Sequence, residues 1–172
     1  MTEKYNIELG LIQKTLLLPL WGRAVETRKK NPLLVDTAAV EILSRINYDL
    51  SVITANINEI TQLAWIARSI HTDRIVRQFS TQHPRSTIVN LGCGLDTTFE
   101  RVDNGKLYWY DLDLPDVIRL RKNFITESAR KKFISCSLLE EIWFPQVRKT
   151  DPILFLASGV FYYFYEDQNN RI

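Results

Sequence analysis

The feature that most constrains this fold is a short apolar run that ends in two closely spaced glycines, Ile88–Asp96 (IVNLGCGLD). A β-branched run followed by such a turn is typical of a buried parallel strand whose backbone bends sharply at its carboxyl end. Glycine permits a positive φ angle and lets another group come close, because it has no β-carbon. We therefore expect Gly92 and Gly94 to form a turn that approaches a ligand.

A second predicted strand with acids at its end follows this turn. Lys106–Leu114 (KLYWYDLDL) carries Asp111 and Asp113, and an acid about 20 residues after the first glycine of such a turn binds ribose hydroxyls in nucleotide-binding folds. Alternation along a strand puts both acids on the same face, so spacing alone does not choose between them. The two strands together predict half of a nucleoside-binding α/β domain.

Strand and helix signals alternate after residue 86, which indicates parallel strands joined by right-handed crossovers. We predict strands at 86–91, 106–114, 132–137 and 153–157, with helices at 14–28, 37–46 and 58–82 before them. Asp36 is predicted to cap the second of these helices, and Pro115 to begin a helix after the second strand. The predicted domains are a helical segment, 1–85, and the N-terminal half of a sheet domain, 86–172.

The fourth predicted strand, Ile153–Ala157, is apolar enough to be expected between two neighbours. Doubly wound sheets usually have about five to seven strands. The chain is therefore expected to be the N-terminal part of a longer protein, truncated after its fourth strand. A second subunit that pairs with this exposed sheet edge is the alternative.

Composition excludes several classes of protein. The 172-residue chain has a formal net charge of +2, too small to indicate a nucleic-acid surface. Its two cysteines make no disulfide framework, which favours a cytoplasmic setting, and neither a signal peptide nor a run long enough to span a membrane is seen. The histidines and cysteines lack metal-ligand spacing, so no metal site is predicted.

A Gly-x-Gly turn by itself is compatible with several functions. Thr97 stands where the dinucleotide fingerprint has a third small residue. This argues against a pyrophosphate cofactor and favours S-adenosylmethionine, a nucleoside without phosphates. A nicotinamide-dependent oxidoreductase and a non-enzymatic fragment that serves assembly are the alternatives.

The chain resembles the leucine carboxyl methyltransferase family. The resemblance lies in Ile88–Phe99 (IVNLGCGLDTTF), Tyr110–Pro115 (YDLDLP) and Leu154–Tyr163 (LFLASGVFYY), while Lys14–Asp36 is similar to the bacterial branch of polyketide-type O-methyltransferases. It implies an α/β, Rossmann-like class I methyltransferase fold with an N-terminal helical extension. It also implies S-adenosyl-L-methionine as cofactor and methyl transfer to a carboxylate or hydroxyl oxygen of a small, polyketide-like acceptor.

The resemblance further implies roles for individual residues. Arg68 would pair with the cofactor carboxylate, which suits the fork of a guanidinium group. Gly92 and Gly94 would let the backbone pass beneath the methionine part of the cofactor. Asp113, or alternatively Asp111, would accept hydrogen bonds from the ribose.

Two positions depart from the family pattern. Ser137, followed by Leu138, stands where the family has an Asp-Leu pair near the adenine, and Ser158 stands where many members have glutamate. No catalytic residue is assigned. The predicted cofactor-binding residues are Arg68, Asn90, Gly92, Cys93, Gly94, Asp96, Asp111, Asp113, Ser137, Leu138 and Ser158.

Several further residues permit a structural or a functional interpretation. Trp21 and Arg23 either pack within an amphipathic helix or form a lid over the cofactor, as the resemblance implies. The aromatic run Phe161–Tyr165 is predicted to pack in the core, with a wall for the acceptor as the alternative. Neither His71 nor His83 is predicted to act as a base, since one lies within a helix and the other beside a proline.

Overall fold

The computed structural model describes residues 4–6 and 16–166, and the chain divides into two compact units. The first comprises Met1–Asp73 and Leu95–Arg101, and the second comprises Arg74–Gly94 and Val102–Ile172. The segment directly after the glycine turn therefore belongs with the N-terminal residues. The division into domains 1–85 and 86–172 stays a prediction.

The first unit is mainly helical. Its elements are β1 (Tyr5–Asn6), α1 (Leu17–Thr27), α2 (Thr37–Arg45), β2 (Ile46–Asn47), α3 (Ser51–Thr54), most of α4 (Glu59–Gln82) and most of α5 (Thr98–Val102). β1 and β2 form a short parallel pair. Asp36 caps α2 as predicted, because its Oδ1 accepts the N–H of Ala39 at 2.9 Å.

The long helix α4 begins one residue later than the predicted range and ends where predicted. His71 is exposed on it, and His83 follows its last turn, where its ring lies 5.0 Å from that of Phe79. No helix in the described ranges is both long enough and apolar enough to cross a bilayer.

The second unit contains a four-stranded parallel sheet with the order β5-β4-β3-β6. The strands are β3 (Thr87–Leu91), β4 (Tyr108–Asp113), β5 (Lys131–Ser135) and β6 (Ile153–Leu156), and α6 (Pro115–Arg121) follows β4. Asn90 lies opposite Asp111 in the register of β3 and β4. This confirms the predicted α/β fold and the order of its four sheet strands along the chain, whereas β1, β2 and α3 were not predicted.

β3 is the most buried strand of the sheet. All five of its residues are buried, because it lies between β4 and β6. One core cluster combines residues of the sheet with residues of the connection that leads from β5 towards β6. Its buried members are Val89, Leu91, Leu112, Ile134, Cys136, Leu138, Trp143 and Val147.

The aromatic run after β6 differs from the prediction. Phe161, Tyr162, Tyr163 and Tyr165 are exposed, Tyr162 to 91%, so the predicted core packing is wrong for these side chains. Phe164 packs partly against the core cluster. The cause is position in the sheet: among the described residues β6 pairs with β3 alone, and no second layer covers the short 3₁₀ turn that follows it.

Candidate functional site

The turn after β3 has the backbone geometry that its glycines predict. Gly92 and Gly94 have φ angles of 65° and 48°, in the left-handed region that side chains other than glycine rarely adopt. The N–H groups of Gly92 and Cys93 both donate to the carbonyl of Leu112, at 2.9 and 3.1 Å. The turn is therefore tied to the carboxyl end of β4.

Gly92 is in close contact with Val160, a residue of the same chain. A β-carbon added at this position would lie 2.4 Å from Cγ2 and 2.6 Å from Cβ of Val160, in the segment after β6. The sequence predicted that a ligand would require this close approach. The structure has Val160 there instead, so this side of Gly92 faces a chain segment rather than an open cradle.

Asp113 is held at the carboxyl end of β4 by two backbone donors. Its Oδ2 accepts the N–H of Gly94 at 2.7 Å, and its Oδ1 accepts the N–H of Leu114 at 2.8 Å. Burial raises the pKa of the Asp113 carboxyl above its ordinary value, although these donors and the charge of Arg121 favour the ionised form. The residue is half-buried, so the carboxylate borders the surface beside the turn.

Asp111 lies on the same face of β4 in a different environment. Its Oδ2 pairs with Arg121 at 2.7 Å, and its Oδ1 accepts from the side chains of Asn90 and Trp109 at 3.1 and 2.8 Å. The carboxylate is fully buried. Asp111 and Asn90, both predicted to bind the cofactor, are thus bonded to each other inside the sheet layer.

Arg121 is the residue of this network that the sequence reasoning missed. It lies on α6, is 1% exposed, and donates from NH1 to the carbonyl of Gly94 at 3.0 Å. The available signal was a helical arginine ten positions after Asp111, on a helix that must pack against the sheet. A charged residue in that position needs a buried partner, because an unpaired buried charge is costly.

Ser137 and Leu138, predicted to lie near the adenine, follow β5, and the predicted residue Ser158 follows β6. Leu138 is buried in the core cluster, and Ser137 forms a tight turn in which its Oγ accepts the N–H of Leu139 at 3.2 Å. The N–H of Ser137 donates to Glu140 Oε2 at 2.9 Å. Ser158 is exposed after β6. Both serines lie on connections that leave the carboxyl ends of strands, the end of a parallel sheet at which ligands bind.

Arg68 and Asp96 belong to the first compact unit. Arg68 is half-buried on α4, and the carboxylate of Asp96 accepts from the N–H and the hydroxyl of Thr98 at 3.1 and 3.0 Å, at the start of α5. Asp96 therefore has a local structural role. Binding of the cofactor by either residue stays a prediction.

Known proteins resemble this chain over most of its length. Residues 17–172 match the sequence model of the leucine carboxyl methyltransferase family. The tetracenomycin polyketide synthesis O-methyltransferase TcmP of Streptomyces glaucescens is 34% identical over 156 residues, which cover 90% of this chain and 57% of that protein. The S-adenosyl-L-methionine-dependent methyltransferase dpfgK of Gibberella zeae is 28% identical over 181 residues, 96% of this chain and 60% of that protein. The chain thus spans less than two thirds of either relative.

We predict that Gly92→Ala destabilises the fold through two separable effects. Alanine in the left-handed region costs about 1–2 kcal/mol, and the overlap with Val160 adds about 1–3 kcal/mol. Urea unfolding of Gly92→Ala in a Val160→Gly background should show the first cost alone. In a Val160→Ala background the overlap should largely persist, because the Val160 β-carbon already lies 2.6 Å from the added carbon. Equal costs in all three backgrounds would contradict the contact.

We predict that Asp111→Ala lowers the free energy of unfolding by about 3–5 kcal/mol, because it leaves Arg121 buried without this partner. Asp103→Ala is a matched control: Asp103 also pairs with an arginine, Arg130, at 2.7 Å, but both side chains are partly exposed. Loss of the Asp103–Arg130 pair should lower the free energy of unfolding by less than about 1 kcal/mol. Similar urea midpoints for the two variants would show that burial does not distinguish the pairs.

Proposed function

Because this chain belongs to the leucine carboxyl methyltransferase family, we propose that it binds S-adenosyl-L-methionine, the cofactor of that family, and acts as an O-methyltransferase. The proposed acceptor is a carboxylate or hydroxyl oxygen of a small, polyketide-like molecule. The printed name of TcmP, which describes an O-methyltransferase of polyketide synthesis, supports this choice. The nicotinamide alternative is not supported by either relative's name.

The observation that carries the proposal is the junction of the glycine turn with the acid end of β4. Gly94 and Asp113 meet there through a hydrogen bond of 2.7 Å, at the carboxyl ends of adjacent parallel strands. Ligands of open α/β sheets bind at this end. The residues at this junction therefore support a nucleoside site. Val160 occupies the space beside Gly92.

We assign the ribose contact to Asp113 rather than Asp111. Each oxygen of Asp113 receives one backbone hydrogen bond, which leaves acceptor capacity for hydroxyl donors. Asp111 is fully buried and receives hydrogen bonds from three side chains. Its carboxylate holds the sheet and α6 together, and a ribose has no access to it.

The chain's own residues would bind and orient the cofactor. When bound, S-adenosylmethionine supplies an electrophilic methyl group that an acceptor oxygen can take by displacement. Arg68 would hold the amino-acid carboxylate of the cofactor, as the resemblance implies, and Leu138 and Ser137 would border the adenine. A carboxylate acceptor needs no general base, which is consistent with the placement of His71 on an exposed helix face.

We predict that Asp113→Asn weakens binding of S-adenosylhomocysteine about tenfold or more, because hydrogen bonds to a charged acceptor are worth about 1.5–3 kcal/mol. Isothermal titration calorimetry measures this. Asp116→Asn is the control, because Asp116 lies close enough to influence the pKa of Asp113 but has no proposed contact with the ligand. The affinity of this variant should stay within about threefold of the affinity of the unmodified chain. A chain that binds no S-adenosylhomocysteine would contradict the cofactor assignment.

The same contact predicts a pH dependence. The ionised Asp113 accepts ribose hydroxyls, so affinity should fall as the pH is lowered through its pKa. Because that pKa is raised by burial, the loss should begin at a higher pH than an ordinary aspartate would give. The affinity of Asp113→Asn should lack this transition. An unchanged profile in that variant would assign the transition to another group.

A further inference from the structure

A buried carboxylate in the first compact unit gathers several donors. Asp36 Oδ2 accepts from Arg23 Nε at 2.8 Å, from Arg101 NH1 at 2.6 Å and from the hydroxyl of Thr97 at 2.5 Å. Its Oδ1 accepts the N–H of Ala39. The side chain of Asp36 has no exposed surface. One carboxylate therefore joins α1, α2, α5 and the chain that precedes α5.

Arg101 extends this network to α4. Its Nε and NH2 donate to the two oxygens of Asp73, each at 2.8 Å, and NH2 also donates to the hydroxyl of Thr98 at 3.1 Å. Burial opposes the charge, but the bond to Asp73 and the nearby charges of Asp96, Asp36 and Asp73 raise the pKa of Arg101. The arginine is therefore held as a cation by acids on two sides.

The network fastens the segment Leu95–Arg101 at three places. Arg23 NH2 donates to the carbonyl of Leu95 at 3.1 Å, and the side chains of Thr97 and Arg101 both reach Asp36. This segment begins at the residue directly after Gly94, so the network anchors the part of the chain that follows the glycine turn. Arg23 is 4% exposed within this network, so it has an anchoring role there; the sequence had left packing within a helix and a lid over the cofactor as alternatives.

This network gives the hydroxyl group of Thr97 a structural role. The sequence marked it as a departure from a dinucleotide fingerprint, which has a small residue there. The structure uses its hydroxyl, which donates to Asp36 and accepts from Arg101 NH1 at 2.9 Å. A residue without a hydroxyl would leave one acceptor of Asp36 and one donor of Arg101 without this partner in a buried place.

We propose that Asp36 and Thr97 are positioning residues of the cofactor site: they hold the segment Leu95–Arg101, which follows the glycine turn, without touching the cofactor. This inference rests on the proposed function. Arg68, the proposed partner of the cofactor carboxylate, lies on α4, the helix that carries Asp73 of the network. Loss of the network should therefore weaken recognition of the amino-acid part of the cofactor more than recognition of its nucleoside.

The test compares Thr97→Val with Thr97→Ser. Valine has nearly the shape of threonine without the hydroxyl, and serine keeps the hydroxyl. Calorimetry with S-adenosylhomocysteine and with 5′-methylthioadenosine, which lacks the amino-acid part, is done well below the unfolding temperature of each variant. We expect Thr97→Val to weaken the binding of S-adenosylhomocysteine about tenfold. The binding of 5′-methylthioadenosine should weaken less than threefold. Thr97→Ser should bind both within about threefold of the unmodified chain.

A second substitution controls for loss of a threonine hydroxyl elsewhere in the same unit. Thr54 donates to the carbonyl of Leu50 at 2.9 Å in α3 and has no contact with the network. Thr54→Val should leave the ratio of the two affinities unchanged. Asp36→Asn, if it folds, should shift that ratio in the same direction as Thr97→Val.

The outcomes separate this inference from the proposed function. If the unmodified chain binds neither ligand, the proposed function is overturned and the inference with it. If the chain binds S-adenosylhomocysteine and Thr97→Val binds it equally well, only the inference is overturned. It is also overturned if Thr97→Val loses both ligands in equal proportion, because that result describes general destabilisation rather than positioning.

Discussion

The two acids of β4 hold both backbone groups of Gly94, and the candidate site depends on this arrangement. Asp113 accepts the N–H of Gly94 directly, at 2.7 Å. Asp111 acts on the carbonyl of the same residue through Arg121, which bonds to both. The turn after β3 is thus secured from the neighbouring strand and from α6, in a conformation that only glycine adopts without strain.

Asp111 and Asp113 have identical side chains but different roles in this arrangement. Asp111 is buried with a guanidinium group, where its charge is balanced and its oxygens are occupied. Asp113 keeps acceptor capacity at the end of the strand, and burial raises its pKa. The proposed ribose contact would use the acid that keeps acceptor capacity. The buried acid stabilises the turn through Arg121.

The first compact unit includes Leu95–Arg101, the segment directly after the turn. Its buried ion pairs involve two arginines, Arg23 and Arg101, and two aspartates, Asp36 and Asp73. Buried pairs of this kind are costly to break, because removing one partner leaves the other without a compensating charge. The helical N-terminal part of the chain therefore anchors Leu95–Arg101.

Local patterns in the sequence were sufficient to predict the α/β fold, the order of its four sheet strands along the chain, the Asp36 cap of α2 and the positive φ angles at the glycine turn. These features depend on neighbours within a few residues, where propensity and hydrogen bonding act directly. Three decisions required the tertiary structure: which acid of β4 keeps acceptor capacity, what lies against Gly92, and which partners the hydroxyl of Thr97 has. Each depends on a partner from another part of the fold: Arg121 on α6, Val160 after β6, or Asp36, which lies 61 positions from Thr97. The physical reason is that burial and ion pairing are properties of the packed chain, and no periodicity or spacing records them.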